Sequence, residues 1–148
     1  MNTEIFWQII DESRADSNNP DDPDEQAEKL KEILMKLEPS ELLEFIKIFH
    51  ECEWRAYKWD LWAVAHIGYR GCCDDAFEEF RVWLISRGKD FFEKALIDPM
   101  TAAEVVKQLL PKWTPISTVG ILLAPDQIYE KKVGHTSFDD LPLSHPLI

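Results

Sequence analysis

WRAYKWDLWAVAHIGYRGCCDDAFEEFRVWLISRG, residues 54–88, holds four of the six tryptophans, two of the three tyrosines, and Phe77 and Phe80. Aromatic side chains bury large areas and dominate core energetics, so a segment this rich in them belongs at the centre of the fold. Its periodicity is helical. From Asp60, a candidate cap, to Tyr69 almost every position is apolar or small, the pattern of an interior helix, and Gly68 and Gly71 end it. Cys72-Cys73-Asp74 turns the chain into a second helix, with Asp74 as its N-cap. There Ala76, Phe77, Phe80, Trp83 and Leu84 share one face, Glu78 and Glu79 face water, and Gly88 stands at the C′ position.

Helical spacing continues on both sides. On the N-terminal side, Ile5, Phe6, Ile9 and Ile10 predict a helix over residues 3–14, followed by the turn-rich acidic linker ADSNNPDD, residues 15–22. Asp22, Pro23 and Glu25 occupy N-cap, N1 and N3 positions of the next helix, whose inward face is Ala27, Leu30, Ile33, Leu34 and Leu37. Pro39 opens a helix to about residue 57, with Leu42, Phe45, Ile46, Phe49 and Cys52 inward. On the C-terminal side, residues 90–97 and 101–110 predict two short helices, the second capped by Thr101. Residues 116–123, between prolines, are the one place for a brief extended segment, and Pro125 opens a last helix to Gly134. The expectation is an all-α fold: a single-domain compact bundle of about six to eight short helices over residues 1–134, with an extended C-terminal tail, residues 135–148.

Composition bounds the function. One domain's length, 45% apolar and 30% charged residues describe a globular chain. A net charge of −12 opposes binding to nucleic acid or anionic bilayers, which are gripped by Lys and Arg, and makes a charged partner a basic one. No apolar run approaches the length of a membrane helix and no signal-like segment opens the chain, so a cytoplasmic location is expected. Cys52, Cys72 and Cys73 form no disulfide framework and read as free thiols.

Residues Ala56-Tyr57-Lys58-Trp59-Asp60-Leu61-Trp62, then Gly71-Cys72-Cys73-Asp74-Asp75-x-Phe77-x-x-Phe80-Arg81-x-Trp83-Leu84-Ile85-x-x-Gly88, together with Phe6-Trp7-x-Ile9-Ile10-Asp11 and Ala95-Leu96-x-Asp98-Pro99, resemble the bacterial family known as domain of unknown function 4240. The resemblance spans most of residues 3–134 and departs at Val64, where the family often has a small residue, and at Cys73, where it often has serine. It implies a helical, bacterial, cytoplasmic domain and no particular activity.

Chemistry-bearing motifs are sparse. His66, Cys72, Cys73 and Asp74 are zinc-ligand types but lack a CxxC spacing. Asp74 and Asp75 raise the pKa of a neighbouring thiol, which opposes nucleophilic catalysis by Cys72 or Cys73. No glycine-rich phosphate loop, HExxH or GxSxG is present. The expectation is therefore no catalytic residue, no metal and no cofactor. What remains is polar and placed near apolar faces. At about 100° per residue, His50 and Glu53 project about 80° and 20° from Leu42, inside the buried stripe. Arg81 and Arg87 border or enter the aromatic stripe, and Asp60, Asp74 and Asp75 start the two central helices. With Trp59 and Trp62 these residues either tie helices together as ion pairs, Arg81 with Asp60 first among them, or line a pocket for a small ligand or peptide. The function that follows is a non-catalytic binding or regulatory module. An immunity-type or nucleic-acid-mimicking inhibitor of a basic toxin or nuclease, or an enzyme using the inward carboxylates or Cys and His, are the alternatives.

Overall fold

The computed structural model describes residues 1–69, 71–109 and 117–141. They form eight α-helices: α1 Thr3–Ala15, α2 Pro23–Leu34, α3 Pro39–Arg55, α4 Trp59–Tyr69, α5 Asp74–Ser86, α6 Lys89–Ile97, α7 Met100–Leu109 and α8 Val119–Val133, with a 3₁₀ turn at Ser137–Asp139. No strand occurs among the described residues.

Local signals set most boundaries. Asn2 caps α1 through Ile5 N, Asp22 accepts from Asp24 N and Glu25 N at the start of α2, and Glu38 and Glu41 form a capping box on α3. Three other N-termini differ from expectation. Cys73 rather than Asp74 is the N-cap of α5, so Asp74 and Asp75 lie in its first turn, where they face the positive end of the helix dipole. Asp60 lies inside α4 and its carboxylate turns back onto Leu61 N. Thr101 is likewise inside α7, and Asp98 accepts from Met100 N.

The centre of the fold is α5, which packs against α1, α3, α4, α6 and α8. Every residue from Phe80 to Ser86 is buried. The interior helix is thus α5 and not α4, which packs on α5 and α7 but leaves Trp59, Ala63, His66 and Ile67 exposed. The apolar composition of α4 therefore reports a partly uncovered helix. At the opposite end of α5 a buried polar cluster joins three helices: Gln26 Nε2 donates to Ser13 Oγ and to the Ser86 carbonyl, and Ser13 Oγ donates to the Ile10 carbonyl.

The largest correction concerns residues 117–133. Pro125 does not open the last helix but lies inside it, and residues 119–123 are helical rather than extended; Ile116, the first residue of the expected segment, lies outside the described residues. Pro125 cannot donate to the Ile121 carbonyl, yet Ile121, Ala124, Pro125 and Ile128 are buried as α8 packs on α2, α3 and α5. Tertiary burial overrides the local penalty. Glu79, expected to face water, fixes the start of α8: its carboxylate accepts from Ser117 Oγ at 3.0 Å and Thr118 N at 3.1 Å, and Thr118 Oγ1 donates to the Glu79 carbonyl at 2.6 Å. After Gly134, the described part of the tail makes its 3₁₀ turn against α8, with Ser137 N and Oγ donating to Asp126.

Gly88 joins α5 to α6 with φ +100°, and a Cβ there would stand 2.8 Å from Asp11 Oδ1. The positive φ demands glycine, and the exposed Asp11 carboxylate would have to swing aside for a larger residue. Gly88→Ala is therefore expected to destabilise by about 1–3 kcal/mol, and Asp11→Ala in the same chain to restore only the part due to the clash. Urea unfolding of the two single variants and the double variant measures this.

Candidate functional site

The residues singled out from sequence fall into two neighbourhoods. Eight of them, with Tyr57 at their hub, lie where α3, the start of α4 and the first turns of α5 converge. Arg87 lies elsewhere.

Tyr57 follows the last turn of α3. Its ring stacks on Trp54 at 6.1 Å and meets Trp62 and Phe77 edge-on at 5.9 and 5.5 Å, while its hydroxyl donates to Asp74 Oδ1 at 3.3 Å. The Arg81 guanidinium lies 4.8 Å from the Tyr57 ring centre and 5.0 Å from that of Phe77. Arg81 is buried, and its NH1 donates to the Glu53 carbonyl at 3.0 Å. The expected pair with Asp60 does not form. Asp60, Asp74 and Asp75 are exposed, and among the described residues none of them makes an ion pair. The physical reason is reach: Arg81 on the inner helix meets the frayed carbonyls at the end of α3 before it meets a surface carboxylate.

Glu53 is buried as its angular position required, but His50 is half-exposed, at the rim of the stripe. His50 Nδ1 and Glu53 Oε2 are 3.0 Å apart. That hydrogen bond raises the imidazole pKa above its ordinary value; burial opposes the rise, and the charges of Glu53, Glu78 and Asp126 add to it. Burial also raises the Glu78 carboxyl, helped by Glu53 and Asp75 and opposed by Arg81 and His50. Among the described residues, Glu53 Oε1 and Arg81 Nε are buried without a hydrogen-bond partner, which lowers the stability of the α3–α5 junction.

From this hub an aromatic ladder runs outward. Phe77 stacks on Trp62 at 4.7 Å and 15°, and Trp62 stacks on Trp59 at 5.6 Å and 12°. Trp62 Nε1 donates to the Cys72 carbonyl at 2.9 Å, which fixes its ring. Trp59, at the outer end, is 84% exposed, and Trp54 is 43% exposed. Two described cations near it in sequence are engaged elsewhere: Arg55 makes a two-pronged pair with Glu93, and Lys58 Nζ donates to the Leu96 carbonyl. The surface that results is aromatic, with the exposed carboxylate of Asp60 next to it in sequence and that of Asp74 accepting from the Tyr57 hydroxyl.

Arg87 belongs to a different setting. Its guanidinium stacks over Trp83 and Phe91 and NH1 donates to Asp21 Oδ1 at 3.1 Å. Burial, then Arg14, lowers its pKa, against the stabilising Asp21 bond. Beside it a polar cleft of about 380 Å³ opens over Trp7, Asp11 and Lys89. Charges of both signs line that cleft, and it is separate from the aromatic surface.

Two of the three thiols, Cys52 and Cys72, are buried, and Cys73 is exposed. Burial pushes Cys52 up to about 12 and Cys72 up to about 11, leaving both protonated at neutral pH. His66 Nδ1 accepts from Cys72 N at 3.0 Å and so closes the loop before α5. Among the described residues no group of three metal-ligating side chains converges, and no helix is long and apolar enough to cross a membrane.

The fold and surface define an all-helical domain with an exposed aromatic ladder. Residues 1–131 match the family described as protein of unknown function DUF4240, and the chain belongs to that family. No curated protein and no solved structure matches.

Tyr57 and Trp54 were absent from the residues singled out in the sequence. The available signal was their spacing of three residues, one helical turn, just before the Trp59-x-x-Trp62 pair.

Two predictions follow from the junction. Arg81→Ala removes a charged hydrogen bond and two ring contacts and is expected to destabilise by about 1.5–3 kcal/mol, with little restored by Arg81→Lys because an ammonium does not stack as a guanidinium does. Asp60→Ala, on the surface, should change stability by less than about 0.5 kcal/mol, and the double variant should be additive on urea unfolding. For His50, a folded-state pKa above the unfolded one means that its pairing with Glu53 is fully present below the ordinary imidazole pKa and fades as pH rises through the folded value. Stability of the wild type should accordingly fall as pH rises from below the ordinary imidazole pKa through the raised folded one, by less than about 1 kcal/mol for this half-exposed pair, relative to a His50→Ala control.

Proposed function

We propose that this protein is a non-catalytic, protein-binding module of the cytoplasm that engages a basic partner through the surface made by Trp54, Tyr57, Trp59 and Trp62. The observation that carries this reading is Trp59: an indole 84% exposed, yet held in register by stacking on Trp62. Exposing so large a ring is unfavourable unless it is covered in a complex, and tryptophan and tyrosine dominate the energetic centres of protein interfaces. Ordered aromatics also lose little entropy on binding. The exposed carboxylates of Asp60, Asp74 and Asp75, within a chain of net charge −12, favour a cationic counterpart. Charge of that size supports a second reading of the same surface, in which the partner is a basic toxin or nuclease held inactive.

Photo-crosslinking in the native cells tests the reading. A benzophenone side chain at position 59 should give discrete adducts with a protein, and the same group at Phe138, also exposed, should not. Trp59→Ala should weaken the complex about tenfold or more, while changing stability by less than about 0.5 kcal/mol. Adducts equal at both positions, or none at position 59, would overturn the proposal.

A further inference from the structure

We infer that the group received at the outer end of the aromatic ladder is an arginine side chain of the partner, stacked on Trp59 and bound by the carboxylates beside it. This rests on the reading of Trp59 as a docking surface and names its ligand chemistry.

The chain itself shows how its aromatic rings are used. The ladder runs from Trp59 through Trp62, Phe77 and Phe80 to Trp83 and Phe91, with successive ring centres 4.7 to 6.4 Å apart. Its inner part is covered twice by guanidinium groups: Arg81 lies over Phe77 and Arg87 over Trp83 and Phe91. Off the ladder, Arg55 lies 5.5 Å from the Phe92 ring centre. Lysine makes no such contact among the described residues; Lys58, beside Trp59 in sequence, reaches instead to the Leu96 carbonyl. Among the described residues no cation lies over Trp59 or Trp62.

Two of the internal guanidinium groups show the polar half of the arrangement. Arg87 stacks on rings while Asp21 accepts from its NH1 at 3.1 Å, and Arg55 stacks on Phe92 while Glu93 accepts from both of its terminal nitrogens. A ring below and a carboxylate at the edge is the combination that suits a planar, weakly hydrated cation. At the outer end the same two components are present: the rings of Trp59 and Trp62, and the exposed Asp60, which among the described residues makes no ion pair, with Asp74 and Asp75 at the start of the helix that carries Phe77. A lysine ammonium would satisfy the charge but not the stacking, and an apolar anchor would leave the carboxylates without a counter-charge.

Titration of the intact protein with a short blocked peptide containing two arginines, followed through the indole N–H resonances, tests this. Trp59 should move most and Trp62 next, with the buried Trp7 still. Replacing both arginines by lysine should weaken binding about 2-fold to 5-fold, the range of an exposed cation–π preference converted at about 1.4 kcal/mol per decade; replacing them by citrulline, planar but neutral, should abolish it. Trp59→Ala should abolish the arginine response, and Asp60→Asn with Asp75→Asn should reduce both affinity and its dependence on salt. Equal affinity for the lysine peptide, or an arginine response that survives Trp59→Ala, overturns the inference. If a neutral or acidic peptide binds through Trp59 instead, the arginine assignment fails while the docking surface stands; if crosslinking at position 59 also yields nothing, the surface itself fails.

Discussion

A guanidinium buried on the central helix has to be satisfied by whatever packs around it, and much of this fold follows from how Arg81 meets that requirement. Its charge is answered by one main-chain carbonyl at the end of α3 and by the faces of two rings. The carbonyl is available because the last turn of a helix leaves its acceptors unpaired. The rings are available because Tyr57 lies just past that turn and Phe77 one turn earlier on α5. One side chain thus fixes where α3 ends relative to α5, and by holding Tyr57 it also sets the plane against which Trp62 and Trp54 rest. The surface aromatics are ordered from beneath.

This arrangement separates two kinds of acidic group. Glu53 is drawn into the junction, where its carboxylate meets His50 and its carbonyl meets Arg81. Asp60, Asp74 and Asp75 stay in water and at neutral pH add to the negative field of the surface. Placing Asp74 and Asp75 in the first turn of α5 stabilises that helix through its dipole without neutralising them by a cation. Local helix stability and the charge offered to a partner therefore come from the same side chains.

The helical class and the position of residues 54–88 at the centre were legible because apolar periodicity is a short-range signal carried by every turn. The caps at Asp22 and the stop at Gly88 were legible for the same reason. What composition misassigned was which central helix is interior: α4 is more apolar than α5, but burial of a helix depends on how many neighbours reach it, and α5 touches five. Pro125 shows the complementary failure, since a local penalty predicted a helix start and long-range packing of Ile121, Ala124 and Ile128 outweighed it. In the site, Glu53 was correctly read as inward from its angle, whereas the Arg81 partner was not. Sequence spacing reports side-chain directions on one helix and says nothing of a main-chain carbonyl brought in from another.

The pinning of Thr118 to Glu79 places α8 against α2, α3 and α5, with α2 its most extensive neighbour. During synthesis on the ribosome α2 emerges early and has α1 to pack on, yet its more extensive neighbour α8, whose Gly120 stands against Ala27, is made only after α3 to α7. The nascent chain consequently carries a partly shielded apolar stripe through most of its elongation, fully closed only once residues 119–133 are made. Chaperone engagement and ribosome pausing therefore bear on the interval between α2 and α8 more than on any later step.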